Sequence, residues 1–419
     1  MKETARPKIG KDYICGLDIG AAKLCATCGR LGPSGKIDIL ASQTVPAQGV
    51  KAGRIIDGRK LSACVRDAIE RLRKMCGFRI RRVYANIDSP DLRAKACEEK
   101  VLFEKKTRVK KIHIARLIDS CIFSKLPLNR KVIHTGFRNF ILDNRISCIY
   151  PEGCKAHEVK LNIVIVSALI PAIKDFIKCI RDAGLILGDM VPSGCAQALA
   201  FFAGSAEKIS EKNDILIDVG SALTKISLLK DKLLKDMAIL PQGAQSITEN
   251  IAVKLKLSFN CAEQLKIKYG RLLISENKFF TQKIIIKDKL INRVVQPRQL
   301  YEIIALKVEG LLQEIKRALL KLNYEDENIG QIVITGGGSI LEGFLERAEQ
   351  TLGKPVKMGF LSAVKDNRIQ AQSALYATSI GLIHSGFKSR DKLNSFTGAK
   401  FDPFMRVFNQ ARGLYQEYF

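Results

Sequence analysis

The chain has 419 residues, of which 47% are hydrophobic, so it can fill large cores in two to four domains, and its ordinary composition excludes disorder as the general state. Its 69 basic residues against 42 acidic ones give a formal charge of +27, which fits attraction to nucleic acid, acidic proteins or a phospholipid leaflet, and equally a generally basic proteome. The 12 cysteines show no metal or disulfide spacing; the one CxxC, Cys25 to Cys28, falls in a predicted strand with its thiols on opposite faces, which reads as reduced, buried thiols of a cytosolic protein.

Met1 to Lys11 is polar and lacks the apolar centre of a signal peptide. Tyr13 to Thr27 then reads strand, turn, strand, with Asp18-Ile19-Gly20-Ala21-Ala22-Lys23 at the turn. A carboxylate ends the first strand, small residues let the backbone turn closely, and a lysine follows, a shape suited to a phosphate and its metal ion. Lys36 to Val45 is a third strand, Gly58 to Met75 a helix with Leu61, Val65, Ile69 and Leu72 at helical spacing, and Arg82 to Ile87 another strand. From Asp88 to Glu158 the texture changes to a basic α+β module, with a helix over Ile112 to Phe123 and strands near Val132–His134 and Phe137–Leu142. Its basic run reads as a protein or lipid contact or as a solvated face.

The first lobe is expected to resume at Val159–Leu169; this apolar stretch, to Ile173, is too short to span a bilayer. A helix over Pro171 to Ala183 and a small-residue helix over Ser193 to Ala203, able to pack closely on a neighbour, follow. Ile215 to Leu229 then repeats the opening arrangement around Asp218-Val219-Gly220-Ser221. Beyond a third strand, Leu233 to Leu240, come helices over Ala244 to Leu257 and Cys261 to Tyr269, a short strand over Lys283 to Lys287 and a long helix over Arg298 to Leu322. Gln331 to Ser339 is a buried strand breaking into Gly336, Gly337 and Gly338 and opening a helix over Ile340 to Leu352, a place where a ligand can lie on the backbone. Gln372 to His384 is the last core helix.

Small and polar residues, Lys388 to Lys400, separate that core from a terminal segment. Asp402 suits an N-cap and Pro403 a first helical position. At helical spacing Phe404, Val407, Phe408, Leu414, Tyr415, Tyr418 and Phe419 share one arc, the pattern of an interfacial membrane anchor, with Arg406 and Arg412 available to anionic lipid.

The order phosphate hairpin, phosphate hairpin, Ala262-Glu263-x-x-Lys266 helix, strand and three glycines resembles the actin/Hsp70/sugar-kinase superfamily. Within it, the position of the inserted module, the stretch Val333 to Phe344 (VITGGGSILEGF) and the linker with its amphipathic helix resemble the FtsA family of bacterial cell-division proteins. The resemblance covers all but about the first ten residues. It implies an α/β, two-lobed actin-like (ribonuclease H-like) ATPase fold, each lobe a mixed five-stranded sheet with helices, plus an inserted α+β subdomain (1C, SHS2-like) and the terminal helix. It divides the chain into subdomain 1A at 1–87 and 159–213, 1C at 88–158, 2A at 214–243 and 329–387, 2B at 244–328, a linker at 388–402 and a membrane-targeting helix at 403–419.

The family's cofactors are ATP and Mg2+. By resemblance Asp18 and Asp218 hold the metal through water, Lys23 approaches the phosphates beside Gly20, Ala21, Gly220 and Ser221, Glu263 and Lys266 contact ribose and adenine, and Gly336, Gly337 and Gly338 carry the nucleoside. The second hairpin departs from the family's usual Asp-Ile-Gly-Gly-Gly-Thr-Thr-Asp: Ser221 and Ala222 add bulk, Leu223 removes a hydroxyl, and Lys225 reverses a charge. Val191 stands where other superfamily members carry the glutamate that orients water, so no general base is evident. The implied protein is a nucleotide-binding scaffold with slow or no hydrolysis. It tethers the tubulin-like FtsZ, bound through 2B, to anionic lipids of the inner membrane at the septum, self-associates into filaments and recruits later division proteins through 1C. The alternatives are an ATP-hydrolysing Hsp70- or sugar-kinase-like enzyme and a pilus-assembly actin-like protein. No nucleic-acid module is recognisable.

Overall fold

A computed structural model describes residues 13–32, 36–202, 212–273, 283–288, 291–322 and 329–394. The opening hairpin is β1 (Tyr13–Ile19) with β2 (Lys23–Leu31), followed by β3 (Ile37–Pro46), the short pair β4 (Val50–Lys51) and β5 (Arg54–Ile55), α1 (Gly58–Cys76) and β6 (Arg82–Asn86). Asp57 starts α1 by accepting from the Lys60 N–H, and Gly77 ends it at φ 73°. Its buried stripe, Leu61, Val65, Ala68, Ile69 and Leu72, is the helical spacing visible in the sequence.

The insert comprises β7 (Arg93–Arg108), α2 (Lys111–Lys125), β8 (Arg130–Leu142), β9 (Ile146–Cys148) and β10 (Lys155–Leu169). Its sheet runs β7-β10-β8-β9, with α2 on β7 and β10 and a core around Ile118, Phe140 and Leu161. One expectation is corrected here. The apolar strand from Val159 does not return the chain to the first lobe; it lies within β10, paired along its length with β7 and β8. A central strand buried on both faces reads as the same apolar run whichever sheet it belongs to. The two strands expected near 132–142 are one, β8, whose pairing with β10 is irregular beside Thr135.

The first lobe closes with α3 (Ile170–Asp182), β11 (Ile186–Val191) and α4 (Ser193–Phe202). The second contains β12 (Asn213–Val219), β13 (Thr224–Lys230), β14 (Leu233–Leu240), α5 (Ala244–Leu255), α6 (Phe259–Tyr269), β15 (Ile284–Asp288), β16 (Ile291–Val295), α7 (Pro297–Lys321), β17 (Ile329–Thr335), α8 (Phe344–Leu352), β18 (Val356–Met358), α9 (Asn367–Ala371) and α10 (Ser373–Asn394). The first sheet has the order β11-β6-β1-β2-β3 and the second β14-β13-β12-β17-β18. Each is a three-stranded antiparallel meander extended by two parallel strands, so both lobes are the five-stranded mixed sheets expected. The hairpins also share one register: Asp18 lies opposite Cys25 and Asp218 opposite Lys225.

The helices α4 and α10 pack on each other and form a layer between the two sheets, touching β1, β2 and β6 on one side and β12, β13 and β17 on the other. Gly381 of α10 makes the close approach possible, since a Cβ there would lie 1.8 Å from the Ala196 carbonyl oxygen. The other face of the first sheet is covered by α1 and that of the second by α7. Besides its tether to the first lobe, the insert packs on β14, an edge strand of the second sheet, through β7, β8 and β10.

Two further expectations change. The triple glycine opens a short 3-10 turn, Gly337–Ile340, and the α-helix starts only at Phe344 after Gly343 at φ 83°. The last helix does not stop at His384 but runs to Asn394, into the stretch read as a linker, because Lys388 to Asn394 contains neither glycine nor proline. The rest of that stretch and the terminal segment, 395–419, lie outside the described residues. Among the described residues no helix is long and apolar enough to cross a membrane.

Candidate functional site

The two hairpin turns face the same space between the lobes, and both are closed the same way. The Gly20 N–H donates to the Lys23 carbonyl at 3.0 Å, and the Gly220 N–H to the Leu223 carbonyl at 2.9 Å. They bound a cavity of about 320 Å³. The turns bring Gly20, Ala21, Gly220, Ser221 and Ala222 to it, with Asp88 and Lys225; Val50, Ile55, Leu169 and Phe176 line it as well, together with the charged Arg54, Asp91 and Asp175. Leu223 is buried against Gly53 in the first lobe and lines the cavity.

The charges beside the turns form one network. Lys225 Nζ lies 2.7 Å from Asp218 Oδ2 and 3.1 Å from Asp88 Oδ2, with all three side chains at most 13% exposed. Asp88 follows β6 in the first lobe and accepts from the Ser193 hydroxyl, from the Ser193 N–H at 3.2 Å and from Asn86 Nδ2 at 3.0 Å. Asn86 in turn holds the end of β1 by accepting from the Ile19 N–H at 2.6 Å. Asp218 Oδ2 also accepts from Gln197 Nε2 at 2.7 Å, and Gln197 donates to Thr378 Oγ1 at 3.0 Å. The chain of contacts thus runs from β1 through both lobes to α4 and α10.

Burial alone would raise the Asp88 carboxyl, but the charge of Lys225 and the hydrogen bonds from Ser193 hold it below its ordinary value. Burial would likewise lower the Lys225 ammonium, and Asp218 and Asp88 hold it above. Burial pushes the Asp18 carboxyl up to about 7, against the pull of Lys225 and Lys23 and with a further push from Asp88 and Asp218.

The residues expected at the base and ribose form a second group beside the first. Lys266 Nζ lies 2.8 Å from Glu263 Oε2 and donates to Thr248 Oγ1 at 2.8 Å and to the Ala244 carbonyl at 3.3 Å. Ala244, the first residue of α5, joins this group to the hairpin, its N–H donating to the Gly220 carbonyl at 2.9 Å. A Cβ on Gly338 would meet Ala244 Cβ at 3.0 Å. Gly336, at φ 92°, is pressed on the Asp218 side chain: a Cβ there would lie 2.3 Å from Oδ1.

Of the expected site residues, Gly20, Ala21, Gly220 and Ser221 line the cavity, whereas Asp18, Asp218, Glu263, Lys266 and Gly336 to Gly338 do not. Lys23 does not line it either; its Nζ donates to the Leu375 carbonyl at 3.2 Å and lies 6.0 Å from the Tyr376 ring centre. A divalent ion held through water by Asp18 and Asp218 does not fit, because one Asp218 oxygen is shared by Lys225 and Gln197 and the other is covered by Gly336. Among the described residues no set of His, Cys, Asp and Glu forms a metal cluster. Asn86, Asp88, Ser193 and Gln197 were not singled out in the sequence. The available signal was Asn86-Ile87-Asp88, polar groups at the carboxyl end of an apolar parallel strand, where open α/β sheets gather ligand contacts.

The described cysteines are free, with Cys25 turned to Thr27, Ser42 and Ser379 and Cys28 to Cys76 of α1, on the two faces of β2 as expected.

A family model described as cell division protein FtsA matches residues 215–381. The chain is 25% identical over 378 residues to the cell division protein FtsA of Pseudomonas aeruginosa, covering 90% of each. It is 22% identical over 402 residues to that of Escherichia coli, covering 90% of this chain and 91% of the relative. Among solved structures it is similar to a chain of the PilM-PilN type IV pilus biogenesis complex, with a TM-score of 0.64, 18% identity and coverage of 89% and 98%. It is also similar to MreB 5 of Spiroplasma citri bound to AMPPNP, with a TM-score of 0.52, 11% identity and coverage of 93% and 99%.

Proposed function

Starting from this chain as an actin-like relative of FtsA, we propose that it serves bacterial cell division as a nucleotide-binding scaffold. ATP lies between the lobes, with its phosphates at Gly20, Ala21, Gly220 and Ser221 and its nucleoside at Glu263, Lys266 and Gly336 to Gly338. FtsZ binds subdomain 2B, residues 244–328, and the segment Asp402 to Phe419 holds the assembly on anionic lipid at the cytoplasmic face of the inner membrane. The protein associates with itself into filaments, and the insert receives later division proteins. The observation that carries this reading is a likeness to FtsA that spans nine-tenths of both chains.

The nucleotide part is supported by two hairpins of one register facing one cavity, with the α5 terminus and the glycine turn against the second. Slow or absent hydrolysis is supported by Val191, buried at the end of β11, where a catalytic carboxylate would be needed. Co-sedimentation with anionic liposomes, with and without FtsZ and with and without residues 402–419, tests the proposal. FtsZ should reach the pellet only with the full chain.

The structural likeness to the pilus-biogenesis complex supports a second reading, a platform for pilus assembly. That reading requires no FtsZ binding, so absence of FtsZ from every pellet favours it.

A further inference from the structure

The second hairpin carries its own cation. The two hairpins have equivalent registers, yet the residue opposite the turn-end aspartate is Cys25 in the first and Lys225 in the second. Residues directly opposite in an antiparallel pair point to the same face, so the lysine is delivered to Asp218 by the strand pairing itself. Its ammonium lies 2.7 Å from Asp218 and 3.1 Å from Asp88, joining a carboxylate of one lobe to a carboxylate of the other. Each carboxylate is further satisfied by uncharged donors, Gln197 on Asp218 and Ser193 and Asn86 on Asp88. A hydrated divalent ion would have to displace this arrangement to reach either one.

An ammonium has three N–H groups, and two are accounted for by Asp218 and Asp88. Lys225 also lines the cavity, beside Gly220, Ser221 and Ala222. A third donor is therefore available to an anion seated on the hairpin turns.

We propose that Lys225 is the cation of this cleft, a tethered charge in the role otherwise filled by a hydrated divalent ion, so that a nucleoside polyphosphate binds between the lobes without magnesium. This rests on the nucleotide-binding reading above.

The test measures ATP and ADP binding to the full chain by calorimetry, once with magnesium and once with excess EDTA. The expected dissociation constants for the unaltered protein agree within about threefold across the two conditions. Lys225→Met should lose at least about tenfold in EDTA and regain affinity when magnesium is added, since the ammonium that keeps a hydrated ion from Asp88 and Asp218 is then gone. Lys225→Met combined with Asp88→Asn removes the stranded carboxylate, should the single change impair folding, and Lys225→Arg should keep the independence from magnesium. If the unaltered protein binds nucleotide only with magnesium, the lysine does not have this role and the nucleotide-binding reading stands. If it binds nucleotide in neither condition, both are overturned. The two measurements on the unaltered chain decide the matter even if no variant folds.

Discussion

Gly381 on α10 rests directly on the main-chain carbonyl of Ala196 on α4, at a distance that leaves no room for a methyl group. Because these helices form the layer between the two sheets, Gly381→Ala must push apart both lobes' inner surfaces. Overpacking of this kind costs about 1–3 kcal/mol, which lowers the melting temperature by roughly 2–4 °C per kcal/mol in a domain of 150–250 residues. Ala196→Gly should not rescue it, because the obstacle is a carbonyl and not a side chain. A thermal melt of the single and double variants checks this.

His384, on the same helix, is 8% exposed, and its Nε2 is buried without a hydrogen-bond partner among the described residues. Burial, with a smaller effect of Lys388, lowers its pKa to about 4. The imidazole is thus neutral in the fold and binds a proton more readily when unfolded. Its contribution is intact above about pH 6.5 and is lost as the pH falls from there towards 4, by roughly 1.4 kcal/mol per unit. Melting curves between pH 7 and 5 should fall less steeply for His384→Leu than for the unaltered chain.

The hairpin β15–β16 presents an unusual surface. Ile285 and Val294 pair across it while 68% and 59% exposed; Lys287, two residues along, shares their face, and Arg293, opposite Ile286, is exposed on the other. On the proposed function this is where an acidic segment of FtsZ is steered. Lys287→Glu with Arg293→Glu should slow association and flatten its dependence on salt, with stability changed by no more than about 0.5 kcal/mol. Unchanged association rates would make the basic face a solvated one. Lys289, which belongs to the same basic run in the sequence, lies outside the described residues.

For the terminal segment the sequence pattern alone supports a prediction. Phe408→Glu would place a carboxylate at the centre of the apolar arc, remove burial worth roughly 1.5–3 kcal/mol and meet repulsion from anionic lipid. Liposome binding should fall at least about tenfold, one decade being about 1.4 kcal/mol. The melting temperature should stay unchanged; a drop in melting temperature with liposome binding intact would make the segment a packing element.

Much of this fold was legible because its signals are local. Alternating and continuous apolar runs, the periodic stripe of Leu61, Val65, Ile69 and Leu72, and two Asp-x-Gly turns lead to the strands and helices actually present. The end of the insert was not legible, because Val159 to Leu169 is as apolar as a first-lobe strand and only pairing distinguishes them. The site divides the same way. The glycines of both turns could be read, and Asp88 carried a signal in its place after an apolar strand, whereas Ser193 and Gln197 could not, since they act by meeting Asp88 and Asp218 across distances that sequence spacing does not encode. Lys225 itself stood out as a reversed charge, but the partner in the other lobe that it holds became apparent only in three dimensions.

The position of α10 also governs how the molecule can be made. The first sheet is completed on its inner face by this helix: Gly16 of β1 lies against the Ser379 carbonyl, and Thr27 of β2 is within 3.0 Å of the Ser379 hydroxyl. All five strands of that sheet leave the ribosome before the second lobe is begun, and the helix that covers them leaves after nearly all of it. At synthesis rates of about 5–20 residues per second, that delay is on the order of ten seconds or more. During it, the nascent first lobe carries an uncovered apolar face, which is where a ribosome-bound chaperone would find its substrate.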